Sequence, residues 1–229
     1  MIPLIFLPGM MCDARLFAPQ IAAITSHEIQ VRDIGAYDNM TAIAHSILAD
    51  APPIFALAGL SMGGIVAMEM MRLAPDRIAR IALMDTNPQA ERAEISARRF
   101  AQMEAVKNGK LRDILRDELK PNYLVESPQK QNILDLCMDM GLGLGAGVFL
   151  RQSVALRDRL DQQDTLRAFK KPALVLCGRH DMLCPIAYHE LMHDLLENSH
   201  LEIIENAGHM PTLEQAQATN KALINWLEA

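Results

Sequence analysis

The chain lacks paired cysteines. Cys12, Cys137, Cys177 and Cys184 are scattered through 229 residues with no C-x-x-C and no metal-ligand spacing. That argues against a disulfide framework or a zinc ribbon and suits a reduced, cytoplasmic protein. Positive charge is not in excess either: the net charge is −6, so neither a nucleic acid nor an anionic membrane is an expected partner. No uninterrupted apolar run reaches the roughly 18 residues of a bilayer span, so the expectation is a soluble protein with no membrane partner. The apolar opening Met1-Ile2-Pro3-Leu4-Ile5-Phe6-Leu7 has no positive start and no small-residue cleavage site. It runs straight into Pro8-Gly9 and reads as a first strand, not as a leader.

What is present is an alternation of short apolar runs with longer helical patterns. Strands are expected near residues 2–7, 29–34, 54–59, 78–84, 173–178 and 201–205, and helices near 17–25, 40–50, 62–73, 185–196 and 213–228. Thr212 and Gln215 are spaced as a capping box for the last helix. The pattern implies an α/β fold with a mostly parallel sheet of about six strands covered by helices on both faces.

Chemistry is concentrated at strand ends. Ile54-Phe55-Ala56-Leu57-Ala58 is followed directly by Gly59-Leu60-Ser61-Met62-Gly63 and then by the apolar run Gly64-Ile65-Val66-Ala67-Met68. Strand, sharp turn and helix is the context in which G-x-S-x-G holds a nucleophilic serine, because the turn is too tight for β-carbons on either side. A serine is a weak nucleophile alone and needs a base and an orienting acid. Ala173-Leu174-Val175-Leu176-Cys177 ends in Gly178-Arg179-His180-Asp181, and Leu201-Glu202-Ile203-Ile204 is followed by Asn206-Ala207-Gly208-His209-Met210-Pro211. Ser61, Asp181 and His209 thus form a candidate catalytic triad. His209 alone among His180, His189, His200 and itself lies between the last strand and the last helix. Glu214 reads as a charge favoured by a helix start. Two backbone amides must face the developing oxyanion: Met62 offers one, and Met10 or Met11, after the first strand, the other.

Together, Pro8-Gly9, Gly59-Leu60-Ser61-Met62-Gly63-Gly64, Gly178-Arg179-His180-Asp181 with Pro185, and Gly208-His209 with Glu214 resemble the α/β-hydrolase fold enzymes. Within them the chain is similar to the small lidded serine esterases, the group of the pimeloyl-carrier-protein methyl esterase. The resemblance implies hydrolysis of a small or medium carboxylic ester through an acyl-enzyme, with no cofactor and no metal. The chain begins on what matches the family's third strand, which implies a trimmed sheet without the antiparallel hairpin at the front. Many relatives carry His-Gly where this chain has Leu7-Pro8-Gly9-Met10. Some relatives take the acid from the end of the preceding strand, here Asp85.

The stretch between Met84 and Ala173 is far longer than a crossover needs. Residues 1–88 and 166–229 are expected to form the core domain and residues 89–165 an inserted helical segment, with helices over about 90–107, 111–119, 128–141 and 147–159. By the resemblance this insertion is a lid, and Met11, Phe100, Met103, Met138, Leu142 and Phe149, with Leu115, Leu134 and Leu150, would wall an acyl pocket. The duller expectation is that each packs lid helix against lid helix. Gly141, Gly143, Gly145 and Gly147 match no nucleotide-binding pattern and read as a hinge. A rival signal is His189-Glu190-Leu191-Met192-His193, a literal H-E-x-x-H that on a helix would suit a zinc hydrolase, although no third ligand is apparent. The same triad also serves C–C bond hydrolases, lyases, thioesterases and acyltransferases, and a non-enzymatic binding module is a further alternative. The expected partner is a small-molecule ester or acyl substrate, and the chain is either a monomer or a homodimer.

Overall fold

The structure, a computed structural model, describes residues 2–229. Six strands form one sheet: β1 (Leu4–Leu7), β2 (Ile29–Val31), β3 (Phe55–Leu60), β4 (Ile78–Met84), β5 (Ala173–Gly178) and β6 (Ser199–Ile204). Their order is β2-β1-β3-β4-β5-β6, and every pairing is parallel. Among the described residues the sheet has no antiparallel hairpin.

The helices are α1 (Ala18–Ala23), α2 (Met40–Asp50), α3 (Met62–Leu73), α4 (Ala93–Lys107), the single turn α5 (Leu111–Asp113), α6 (Lys130–Arg157), α7 (Gln163–Ala168), α8 (Ile186–Leu195), the short α9 (Pro211–Glu214) and α10 (Ala216–Glu228). Strand alternation sorts the core into two layers. Ile5 and Leu7 of β1 and Phe55 and Leu57 of β3 pack with α2, α3, α7 and α8 on one face. Leu4, Phe6, Ala56, Ala58 and Leu60 pack with Phe17, Leu223 and Trp226 on the other. Asn39 starts α2 by accepting the N–H of Ala42 on its side chain at 3.1 Å, the usual satisfaction of an orphan amide.

The last helix differs from expectation. The chain breaks at Gln215 (φ −133, ψ 56), so α9 and α10 are separate. The Thr212–Gln215 capping box does not form: Thr212 Oγ1 is buried without a hydrogen-bond partner, and the Gln215 amide donates instead to the Asn206 carbonyl.

Between β4 and β5 lies the insertion. Its ends meet where the Gln162 N–H donates to the Pro88 carbonyl at 2.7 Å. Residues Ile114–Leu119 form a π-helical turn running on from α5, and the third and fourth expected helices are joined as α6. The joint is Gly145, with φ 82 and ψ 174 inside otherwise helical backbone. By length and composition α6 would suffice to cross a membrane, although glycines and charged residues, Asp135 and Asp139 among them, interrupt its apolar run. Its large apolar side chains are buried or half-buried against the rest of the insertion and the core.

Candidate functional site

The site sits at the carboxyl ends of the strands, beside the point where the strand order reverses between β1 and β3, where open α/β sheets bind ligands. Ser61 joins β3 to α3 with φ 55 and ψ −117, a conformation an L-residue adopts only under constraint. The constraint is visible in its bonds: Ser61 N–H donates to the Met84 carbonyl at 2.9 Å, and its own carbonyl accepts the Thr86 hydroxyl at 2.8 Å. The neighbouring glycines are obligatory on contact grounds. A Cβ on Gly63 would lie 2.0 Å from the Leu7 carbonyl oxygen, and one on Gly59 2.3 Å from that of Gly63.

The serine hydroxyl lies 3.0 Å from His209 Nε2 and so donates to it. On the far side of the ring, Nδ1–H donates to Asp181 Oδ2 at 2.8 Å. The other carboxylate oxygen accepts the amides of Leu183 and Cys184 at 2.8 and 3.0 Å. Burial works against the charge on Asp181, yet the facing His209 and these two amides hold its pKa below the usual carboxylate value. That arrangement can fix the tautomer of His209 and balance a positive charge on it. Asp85, the alternative acid, is fully buried and accepts the Gly178 N–H at 2.9 Å. Its burial, with Asp181 facing it, raises its pKa well above the usual carboxylate value.

Met10 and Met62 line the same cavity, and among the described residues neither amide donates to a backbone carbonyl. Met11 is different: its N–H is taken by Gln152 Oε1 of α6 at 2.9 Å. Of the two alternatives after β1, only Met10 keeps a free amide.

Sequence reasoning missed what braces His209. Its N–H donates to the Tyr123 carbonyl in the insertion at 2.6 Å, and the Tyr123 ring tilts against the imidazole at 5.6 Å between centroids. The amides on either side of it, Gly208 and Met210, both donate to Glu214 Oε2, and Val125 N–H to Oε1. Glu214 therefore closes the turn that carries the imidazole, at the end of α9, and does not start the long helix.

The zinc motif does not assemble. His189 is fully buried, its Nε2 accepting the Thr86 N–H at 3.1 Å, while His193 Nδ1 faces Ser199 Oγ. Among the described residues the one grouping with ligand-like spacing is Asp181, Cys184 and His209. There the aspartate and histidine already bond each other, and burial raises the Cys184 thiol well above its usual pKa.

A cavity of about 230 Å³ opens onto Ser61, His209 and Met62. None of the nine expected acyl-pocket residues lines it, Leu115, Leu134 and Leu150 included. Phe100 is 52% exposed with the Arg157 guanidinium over its ring. Met11, Met103 and Phe149 are buried in a cluster against which Met138 and Leu142 pack. The reason is helical geometry: the apolar stripes of the insertion are spent on each other. The cavity instead meets the row Ile95, Arg98, Arg99 and Gln102 of α4, whose i, i+3, i+4, i+7 spacing was the available signal. Its charges are ordered. Glu91 takes Arg99 Nε at 2.7 Å and Arg159 Nη1 at 2.9 Å, and Gln102 donates to Glu118.

The model of the alpha/beta hydrolase family matches residues 7–222. A pimeloyl-[acyl-carrier protein] methyl ester esterase of Neisseria meningitidis is 24% identical over 187 residues, covering 79% of this chain and 72% of that protein. A thermophilic esterase from Thermogutta terrifontis superimposes with a TM-score of 0.89 at 26% identity, over all of this chain and 90% of that one. An enol-lactonase from Burkholderia xenovorans shares the fold, with a TM-score of 0.87 and 21% identity over all of this chain and 92% of its own.

Proposed function

Since the chain belongs to the alpha/beta hydrolase family, we propose that it is a serine hydrolase that cleaves a small or medium carboxylic ester through an acyl-enzyme. The observation that carries the reading is the unbroken line from Ser61 Oγ through His209 to Asp181, at 3.0 and 2.8 Å. Ser61 attacks the ester carbonyl as His209 takes its proton. The oxyanion that forms is held by the amides of Met62 and Met10. His209 then returns the proton to the leaving alcohol, and a water, activated by the same imidazole, releases the acid. The position of Met62 at the first turn of α3 adds the positive end of a helix dipole to that hole.

Residues 89–165 act as a lid that keeps bulk water from the acyl-enzyme. The reading needs a small-molecule substrate and neither metal nor cofactor. Four buried free thiols accord with a cytoplasmic setting.

The test is labelling with a fluorophosphonate, the adduct being located by mass spectrometry, alongside hydrolysis of a short p-nitrophenyl ester. Label on Ser61 is expected, and Ser61→Ala and His209→Ala should each lower kcat by about 10⁴-fold or more. Ester turnover that survives Ser61→Ala would overturn the assignment.

A further inference from the structure

We propose that the acid part of the substrate carries a second, ionised carboxylate, bound by Arg99 and Arg159, so that the enzyme is selective for half-esters of dicarboxylic acids. The inference rests on the serine-ester reading and names its substrate class.

Charge is the first observation. The whole chain carries −6, yet the cavity at Ser61 is lined by four arginines, Arg92, Arg98, Arg99 and Arg159, against two glutamates, Glu91 and Glu118. A cavity of sign opposite to its protein attracts anions and would repel cations.

Burial is the second. The side chains of Arg99, Arg159 and Glu91 are only 13%, 7% and 4% exposed. A desolvated ion pair is tolerable when charges balance, and here two cations share one anion. The excess positive charge has little water to hold it and sits on a wall of the substrate cavity.

Unused hydrogen-bonding capacity is the third. Arg159 Nε and Nη1 donate to the carbonyls of Gln89 and Leu156. Arg99 spends Nε on Glu91, and Nη1 meets only the Met10 sulfur, at 3.8 Å. Among the described residues, the Nη2 group of each arginine has no hydrogen-bond partner. Two guanidinium ends oriented by a shared glutamate are suited to one carboxylate, which accepts charge-assisted bonds on both oxygens. The link to Met10 sets Arg99 beside the loop whose amide faces the reacting carbonyl. A short acyl chain can therefore extend from Ser61 toward the arginines within a cavity of this size.

The experiment compares kcat/KM for monomethyl adipate with that for methyl adipamate, its neutral amide isostere, in each protein. The wild type should favour the acid by about 10- to 100-fold. Arg99→Gln and Arg159→Gln should each cut that ratio about tenfold. Glu91→Gln, which removes the competing carboxylate, should raise it. A merely structural role would lower both rates and leave the ratio unchanged. Should the wild type label at Ser61 but hydrolyse both esters alike, this inference falls and the serine-hydrolase reading stands. If Ser61 neither labels nor turns over either ester, that reading falls, and thermal shift decides the anion site alone. Adipate should raise the Tm of the wild type and not that of Arg99→Gln. Stabilisation by inorganic phosphate without adipate, or by neither, would overturn the carboxylate assignment.

Discussion

Glu214 shows how much can rest on a side chain that never touches the reacting atoms. Its two oxygens accept three backbone amides, two of which flank His209. Glu214→Ala leaves all three without their partner at a cost of about 1–3 kcal/mol each where they stay dry. The expected result is a stability loss of a few kcal/mol in urea titration and a fluorophosphonate labelling rate at least tenfold slower. His189 gives a pH signature. Burial pushes its pKa down from 6.5 to about 4, so the unfolded chain takes up the proton first. Its contribution to stability is complete above about pH 6.5 and is lost as pH falls toward 4, at about 1.4 kcal/mol per unit. Denaturation at pH 7 and pH 5 should differ by about 2 kcal/mol more in the wild type than in His189→Gln. Equal differences would mean that His189 charges freely in the fold. Asp85 bonds the Gly178 amide and Asp181 the imidazole, so Asp85→Asn should keep kcat within about threefold, while Asp181→Asn should lower it by several orders of magnitude, having lost the charge facing the imidazole. The grouping of Ser61, Asp181 and His209 was legible because motif, strand end and chain order coincide on them. Glu214 was not, because a carboxylate near a helix start looks the same in sequence whether it faces water or three amides.

The joint in α6 separates two kinds of glycine. Gly145 occupies φ 82, ψ 174, which is essentially closed to other residues, whereas Gly143 is helical, and a Cβ at either would meet nothing within 4 Å. Packing therefore plays no part, and backbone alone sets the sign. Gly145→Ala should destabilise by about 1–3 kcal/mol, and Gly143→Ala should stabilise by up to about 1 kcal/mol, both read from denaturant midpoints. Gly141 differs again, since a Cβ there would fall 2.8 Å from Leu115 Cδ1. The sequence marked this region as a break between helices, but spacing does not say which of four glycines bends. The same limit applies at Gln215. Nothing in Pro211-Thr212-Leu213-Glu214-Gln215 announces that the chain must turn there so that Glu214 can reach Gly208. Where a cap is local, as at Asn39, the boundary is readable; where tertiary bonds decide, it is not.

The two cores flanking the sheet draw on most of its strands, whereas the insertion contributes Met103, Leu115 and Phe149 to a smaller cluster that also takes in Met11 after β1. Hydrogen exchange should follow that division. Amides of β3, β4 and β5 should be the slowest, exchanging by global unfolding, and those of α4 and residues 111–124 faster, through local opening. Equal protection in α4 and β4 would show a single cooperative unit. The parallel sheet was legible because buried strands between amphipathic helices leave few alternatives. The cavity wall was not, because an insertion's apolar stripes and its polar face are both candidates until the helices are docked.

The bond from His209 N–H to the Tyr123 carbonyl also bears on inheritance. On the proposed function, core and insertion resemble interchangeable parts, one supplying the reaction and the other the choice of substrate. Yet the backbone of one part is what steadies the base of the other. A chimera that takes its insertion from a relative should fold and still react slowly unless the donor presents a carbonyl where Tyr123 does. New specificities in this scaffold are then more readily reached by changing side chains along α4 than by exchanging the segment whole.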